Sequence, residues 1–108
     1  MIAVVGHTRC GAIRGAIDHA ELGDLTALLR KIRPAVDSTL ADGWPEGAPD
    51  GKFVEAVTGA NVLLAMRQIR KRSPVLGELI DSKIESKRVG LVGGMYNLAT
   101  GKVAFYEN

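Results

Sequence analysis

A single cysteine, Cys10, is present among the 108 residues of this chain. One cysteine cannot form an intrachain disulfide, so the disulfide-stabilised folds of small secreted proteins are excluded. Cys10 is therefore a free thiol, a metal ligand or an intermolecular partner. Aromatic residues make up only 5% of the chain and the formal net charge is +2, so we predict no nucleic-acid partner. The densest basic stretch, residues 67–72, is interpreted as a solvated helix end, with a patch that binds an anion or nucleic acid as the alternative.

Long hydrophobic runs are also missing. No apolar run approaches the roughly 18 residues of a membrane span, and residues 1–15 lack a basic leader followed by an apolar stretch and a cleavage site. We therefore expect no membrane partner and a cytoplasmic location. With 46% hydrophobic and 24% charged residues, the composition is typical of one compact domain over residues 1–108.

The first half of the chain predicts one strand followed by helices. The β-branched run at residues 2–5 ends at a glycine and is typical of a buried parallel strand. A loop at residues 6–11 then leads into apolar residues at helical spacing over residues 12–20. Asp24 is the predicted N-cap of the next helix, and Pro34 marks a break or a new start.

A second group of helices is predicted in the middle of the chain. Residues 41–51 hold three glycines and two prolines, which favours a surface loop pinned by Trp44. Residues 53–72 show a broad apolar stripe at helical spacing and predict a long, mostly buried helix. Ser73 and Pro74 are the predicted N-cap and first residue of a short helix.

The C-terminal part predicts a strand and a hairpin. Residues 89–92 are typical of a second buried strand, and Gly93 and Gly94 allow a close backbone approach or a bulge. Residues 99–102 turn the chain into a last strand at residues 103–106. The expected fold class is therefore α/β, with a small, mainly parallel sheet flanked by helices and a C-terminal hairpin. The first strand would lie at an unprotected edge.

The segment VVGHTRCGAIRG, residues 4–15, places a histidine and the cysteine between two glycines directly after the first strand. Residues 6–11 match the first half of the phosphate-binding pattern G-x-x-x-x-G-K-[ST]. Ala12 and Ile13 stand where that pattern needs a lysine and a hydroxyl group, so the phosphate-binding interpretation is weak.

Cys10 is also a candidate nucleophile, because it precedes a predicted helix whose N-terminus favours a thiolate. A tyrosine-phosphatase-like loop would place an arginine six residues later, where Ala16 stands. Arg14 is expected to point outward. A metal site is the stronger hypothesis, since His7-x-x-Cys10 supplies an imidazole and a thiolate at a spacing that suits one zinc ion.

Several motifs together resemble the β-class carbonic anhydrases. VVGHTRCGAIRGA is similar to the family's second zinc motif, a G-H-[ST]-x-C-G-A segment after a buried strand. A helix with Asn61 and Val62, the Ser73-Pro74 step and VGLVGGMYNLATGKVAF also resemble later parts of that domain. The last of these matches the closing G-x-x-Y-x-L-x-T-G-x-V-x-F hairpin, so the likeness spans essentially the whole chain.

The resemblance implies zinc as the cofactor, with His7 and Cys10 as metal ligands and with Gly11 and Ala12 as the wall of the pocket. It also implies reversible hydration of carbon dioxide to bicarbonate by zinc-bound hydroxide. The family takes a second cysteine ligand from an earlier C-x-D-x-R motif, whose aspartate and arginine act on the metal-bound water. Nothing in this sequence matches that motif, so the chain resembles a domain that lacks its N-terminal part.

Three hypotheses follow from the resemblance. The chain is an enzyme of carbonic anhydrase type with impaired activity, a non-catalytic zinc-binding or structural subunit, or a fragment of a longer enzyme. Another protomer, His19, a carboxylate or solvent would complete the metal site. The unprotected strand edge predicts a homodimer or a higher homo-oligomer.

Overall fold

The computed structural model of the protein describes residues 1–21, 23–44 and 50–106. Within these residues the chain forms three strands and four α-helices, with a short 3-10 turn at Glu85–Lys87 before the second strand. Their bounds are β1 Ile2–His7, α1 Gly11–Ile17, α2 Leu25–Ala41, α3 Asp50–Arg72, α4 Pro74–Ile80, β2 Leu91–Tyr96 and β3 Val103–Phe105. The predicted α/β class is confirmed. None of the described helices is long and apolar enough to cross a membrane.

The strands form one sheet in the order β1-β2-β3. β1 and β2 are parallel over six residue pairs, from Ile2 opposite Leu91 to His7 opposite Tyr96. β2 and β3 are antiparallel over three pairs, so the sheet is mainly parallel and closes in a hairpin, as predicted. In the described part of the chain β1 has only β2 as a neighbour, and its other edge is free.

Helix α3 packs against one face of the sheet, at two glycines. A Cβ atom on Gly6 would lie 2.6 Å from Thr58 Cγ2, and one on Gly93 would lie 2.6 Å from Met66 Sδ. Glycine at both positions lets side chains of the helix pack directly against the backbone of the strands. The close backbone approach predicted at Gly93 is therefore confirmed.

The opposite face of the sheet is exposed. Side chains alternate between faces along a strand, and along β1 the residues on this outer face are exposed while their neighbours are half-buried. Val5 is 46% exposed, and Phe105 on β3 is 62% exposed. The main core lies instead among helices α1, α2 and α3, and its buried members are Ile13, Ala16, Leu29, Ile32, Ala35, Val36, Val54 and Val57.

Helix α2 runs without interruption from Leu25 to Ala41, with Pro34 inside it. The predicted break at Pro34 is therefore wrong. Ile32 and Val36, on either side of the proline, are both buried in the core. Burial of these and neighbouring side chains offsets the penalty of about 3 kcal/mol that proline carries in a helix interior. Asp24 stands at the N-cap, as predicted, but its side chain makes no capping hydrogen bond.

Other predicted bounds also differ from the structure. Strand β1 extends to His7 rather than residue 5, β2 covers Leu91–Tyr96 rather than residues 89–92, and α3 begins at Asp50 rather than residue 53. Helix α1 ends at Ile17 rather than Ala20, because His19 adopts a left-handed backbone conformation with φ 54° that no α-helix accommodates. The predicted loop at residues 41–51 is shorter than expected, since α2 includes Ala41 and α3 begins at Asp50. Residues 45–49 lie outside the described residues.

Two local predictions are confirmed at helix ends. Trp44 contacts Phe53 edge-on, with ring centroids 5.4 Å apart, so it anchors one end of the connection between α2 and α3. Ser73 Oγ accepts a hydrogen bond from the Leu76 backbone N–H at 3.2 Å, and Pro74 is the first residue of α4. The Ser73 hydroxyl satisfies one N–H group that the start of a helix leaves unpaired, and Pro74 has no N–H group that would need a partner.

Candidate metal centre

The loop after β1 is fixed to the β2–β3 hairpin through Thr8. The Thr8 backbone N–H donates to the Tyr96 carbonyl at 3.0 Å, and the Leu98 backbone N–H donates to Thr8 Oγ1 at 3.0 Å. Arg9 then takes a left-handed conformation with φ 56°, which is uncommon for a residue with a side chain. The loop between His7 and Cys10 is thus a tight turn held at its first residue.

His7 stands at the carboxyl end of β1 with an exposed side chain. Its Nδ1 lies 2.9 Å from the Thr8 carbonyl oxygen. A carbonyl oxygen only accepts hydrogen bonds, so Nδ1 carries the proton and donates it. In the neutral imidazole, Nε2 then holds the free lone pair, which is the arrangement found when a histidine binds a metal.

Cys10 occupies the N-cap position of α1 and is a free, half-buried cysteine. It lines a cavity of about 310 Å³ that opens between α1 and the start of α3. Gly11 lines the same cavity, whereas Ala12 packs against the core between the helices. His7 is not among the residues that line this cavity.

Charged side chains surround the same cavity. Arg9, Arg14 and Glu55 line it, and none of them forms an ion pair within the described part of the chain. Arg14 is exposed, as expected for a residue that points outward, yet it also borders the cavity beside Cys10. Two guanidinium groups against one carboxylate make the lining of this cavity positive, which favours an anionic ligand.

The number of ligands is smaller than zinc needs. Among residues 1–21, 23–44 and 50–106, no group of three or more His, Cys, Asp or Glu side chains is arranged to hold a metal ion. His19 lies elsewhere, with Nε2 accepting a hydrogen bond from Arg33 Nη1 at 2.6 Å. His7 and Cys10 fit zinc by donor type, but three protein ligands are usual in a catalytic site.

Sequence reasoning missed the role of Thr8 in holding the loop, and the position of Arg9 and Glu55 beside Cys10. The hydroxyl position of the G-H-[ST]-x-C-G-A pattern is the signal that would have pointed to Thr8. Nothing in the sequence marks Glu55, because it reaches the cavity from α3, a distant part of the chain.

Comparison with known proteins agrees with the geometry of the strand, loop and hairpin. The family described as carbonic anhydrase matches residues 1–103, whereas no curated protein matches the chain. The β-carbonic anhydrase CafA of Aspergillus fumigatus superposes with a TM-score of 0.78 at 22% identity, over 97% of this chain and 47% of that one.

Other solved structures are similar in the same way. The structure of two tetrameric β-carbonic anhydrases from Sordaria macrospora gives a TM-score of 0.78 at 16% identity, over 99% of this chain and 52% of that one. The β-carbonic anhydrase CcaA gives a TM-score of 0.69 at 19% identity, over 98% of this chain and 46% of that one. The chain thus spans about half the length of these structures. It belongs to the carbonic anhydrase family and has the fold of one part of the β-class domain.

Proposed function

We propose that this chain supplies two zinc ligands, His7 and Cys10, to a carbonic anhydrase centre that hydrates carbon dioxide reversibly to bicarbonate. The hydrogen bond from His7 Nδ1 to the Thr8 carbonyl at 2.9 Å carries the proposal. It leaves Nε2 as the free nitrogen, on the same short loop as a free cysteine. Family membership supports zinc chemistry for these two residues.

Zinc bound in such a site acts as a Lewis acid and brings the pKa of coordinated water close to neutrality. The protein's own contribution is to hold the donors and to shape the surroundings. Thr8 fixes the His7 ring through its carbonyl oxygen. Arg9 and Arg14 make the cavity beside Cys10 positive, which favours the bicarbonate anion over neutral carbon dioxide at this place.

A third ligand would come from a strand beside the free edge of β1. Carboxyl ends of parallel strands lie at the same edge of a sheet, so a parallel strand added to β1 would end next to His7. The solved relatives are about twice as long as this chain, and the resemblance implies a cysteine ligand on an earlier strand. We therefore propose that the segment that supplies this strand comes from a domain of the β-carbonic anhydrase type.

Self-association is part of the proposal. The outer face of the sheet exposes Val5, Val103 and Phe105, a set of apolar side chains whose burial between two copies would be favourable. The Sordaria macrospora relatives are described as tetrameric. A mass in solution of twice that of one chain, or more, would support the homo-oligomer, and a monomer at micromolar concentration would contradict it.

A non-catalytic zinc-binding or structural subunit is the second candidate. The observation in its favour is the ligand count, because within the described residues no group of three or more His, Cys, Asp or Glu side chains could hold a metal ion. A two-ligand site binds zinc weakly unless another molecule contributes. In that case two chains would share one ion through His7 and Cys10 of each.

Elemental analysis and the rate of carbon dioxide hydration together separate the two functions. Zinc at about one ion per chain with a hydration rate above that of buffer supports the enzyme. Zinc at about one ion per two chains without hydration supports the structural subunit. The His7→Ala variant should lose the metal, and His19→Ala is the matched control that should keep it. Equal zinc in both variants would overturn the ligand assignment.

A further inference from the structure

A second cavity, of about 170 Å³, lies between the end of α1 and the start of α2. It is separate from the one beside Cys10, with which it shares no lining residue. Its floor is formed by small and apolar residues, and four ionisable side chains border it: His19, Glu21, Arg30 and Arg33. None of these four has a role in the proposed zinc centre.

Arg33 is held rigidly at this cavity. Its Nη1 donates to the Ala16 carbonyl at 3.0 Å and to His19 Nε2 at 2.6 Å. The side chain is only 27% exposed, and its nearest carboxylate, on Asp37, lies 3.8 Å from Nη2 and is 67% exposed. Both hydrogen-bond acceptors of Nη1 are neutral groups, so the guanidinium charge is only weakly compensated.

Donors of Arg33 remain available to a ligand. A guanidinium has five N–H groups. Within the described residues Nε makes no hydrogen bond, and Nη2 meets only the exposed Asp37 carboxylate, at 3.8 Å. The His19 side chain is held by its hydrogen bond to Arg33, and its backbone is left-handed with φ 54°. Its Nε2 is already bonded to Arg33 Nη1 and therefore offers no donor to a ligand.

Arg30 provides the second cation and Glu21 the one carboxylate at the cavity. Neither forms an ion pair within the described part of the chain. Arg30, Arg33 and Glu21 together give the lining one net positive charge, which the exposed Asp37 beside Arg33 offsets only in part. A ligand with a single negative charge would balance it, and a dianion would not be favoured to the same extent.

The size and the donors define the chemical class of the ligand. A cavity of about 170 Å³ has room for several water molecules, at about 30 Å³ each, and hence for an anion of a few heavy atoms. Arginine binds planar carboxylate groups through two parallel hydrogen bonds. We propose that the cavity between α1 and α2 binds a small planar oxyanion of the carboxylate type, with Arg33 and Arg30 as its ligands.

Nuclear magnetic resonance titration of the full chain, prepared without zinc, tests this proposal independently of the zinc centre. Acetate, bicarbonate and sulfate are each added at constant ionic strength with chloride as the reference. Acetate and bicarbonate should cause saturable shifts confined to residues 15–33, with sulfate at least severalfold weaker. Tighter binding of bicarbonate than of acetate would identify a free ion as the ligand, and the reverse would identify a carboxylate group of a larger molecule.

Substitutions then assign the residues. Arg30→Gln should weaken binding by about tenfold, because a charge-assisted hydrogen bond is lost. Arg30 is exposed, so this variant should fold even if Arg33→Gln does not. Arg72→Gln removes the same charge from an exposed site on α3 and should leave binding unchanged. Shifts no larger than those with chloride, or equal losses in Arg30→Gln and Arg72→Gln, would overturn the proposal.

Discussion

Thr8 and Leu98 are 90 residues apart in the sequence and are hydrogen-bonded: the Leu98 backbone N–H donates to Thr8 Oγ1 at 3.0 Å. This contact fixes the loop between His7 and Cys10 to the β2–β3 hairpin. Thr8→Val keeps the shape of the side chain but removes the acceptor. We expect it to lower the free energy of unfolding by about 0.5–1.5 kcal/mol and to weaken zinc binding, as measured by urea denaturation and a metal titration.

Thr8→Ser is the matched control for that prediction. It keeps the hydroxyl oxygen and should retain both the stability and the zinc affinity more nearly than Thr8→Val does. If Thr8→Ser lost as much zinc affinity as Thr8→Val, the hydroxyl group would have no part in positioning the loop.

The contact between β1 and α3 depends on the absence of a side chain at Gly6. An added Cβ would lie 2.6 Å from Thr58 Cγ2 and 3.0 Å from Val62 Cγ2, and both neighbours are 3% exposed. Their β-branched side chains have little rotational freedom. Gly6→Ala should therefore lower the free energy of unfolding by about 1–3 kcal/mol.

Gly51→Ala is the control for Gly6→Ala. Gly51 lies in the first turn of α3, and nothing stands within 4 Å of an added Cβ. Alanine is the better helix former, so this variant should be unchanged or more stable by about 0.5–1 kcal/mol. Equal destabilisation of the two variants in urea unfolding would show that close packing at Gly6 is not the cause.

Burial raises the pKa of the Tyr106 phenol above its ordinary value of 10.0. The folded state therefore holds this proton more tightly than the unfolded state does. The stabilisation that the protonated Tyr106 phenol gives to the folded state is complete below about pH 10. It is lost as the pH rises through the raised pKa. Urea unfolding across this range should show stability falling less steeply in Tyr106→Phe than in the unmodified chain.

Tyr96→Phe serves as the comparison for the tyrosine experiment. Tyr96 is 36% exposed at the end of β2. Tyr96→Phe removes a phenol from this more exposed place and so controls for the loss of a hydroxyl group as such. A steeper loss of stability in Tyr106→Phe than in the unmodified chain would contradict the assigned direction of the Tyr106 shift.

Local patterns predicted most of the fold. The β-branched run before Gly6, the Ser73-Pro74 step and the glycine pair in β2 each act through nearby backbone chemistry, and the structure confirms them. The predicted break at Pro34 is wrong because the cost of proline in a helix is offset by burial of residues of α2 against other helices. Such a tertiary effect is not visible in the local sequence.

The sequence predicted the two candidate metal ligands, but it did not predict the residues that surround them. His7 and Cys10 are three residues apart, so their placement on one loop follows from the sequence. Glu55 reaches the cavity beside Cys10 from α3, and the pairing of His19 with Arg33 joins the end of α1 to α2. These long-range contacts depend on how the helices pack, which spacing along the chain does not determine.

Cobalt(II) substitution tests the central claim most directly, because a cobalt–thiolate bond gives a charge-transfer absorption that a cobalt–imidazole bond does not. The chain loaded with cobalt should show this band, Cys10→Ser should lose it, and His7→Ala should bind the ion much more weakly. His19→Ala should match the unmodified chain. A cobalt complex with no thiolate band, or the same band and affinity in His7→Ala, would contradict a metal centre built on His7 and Cys10.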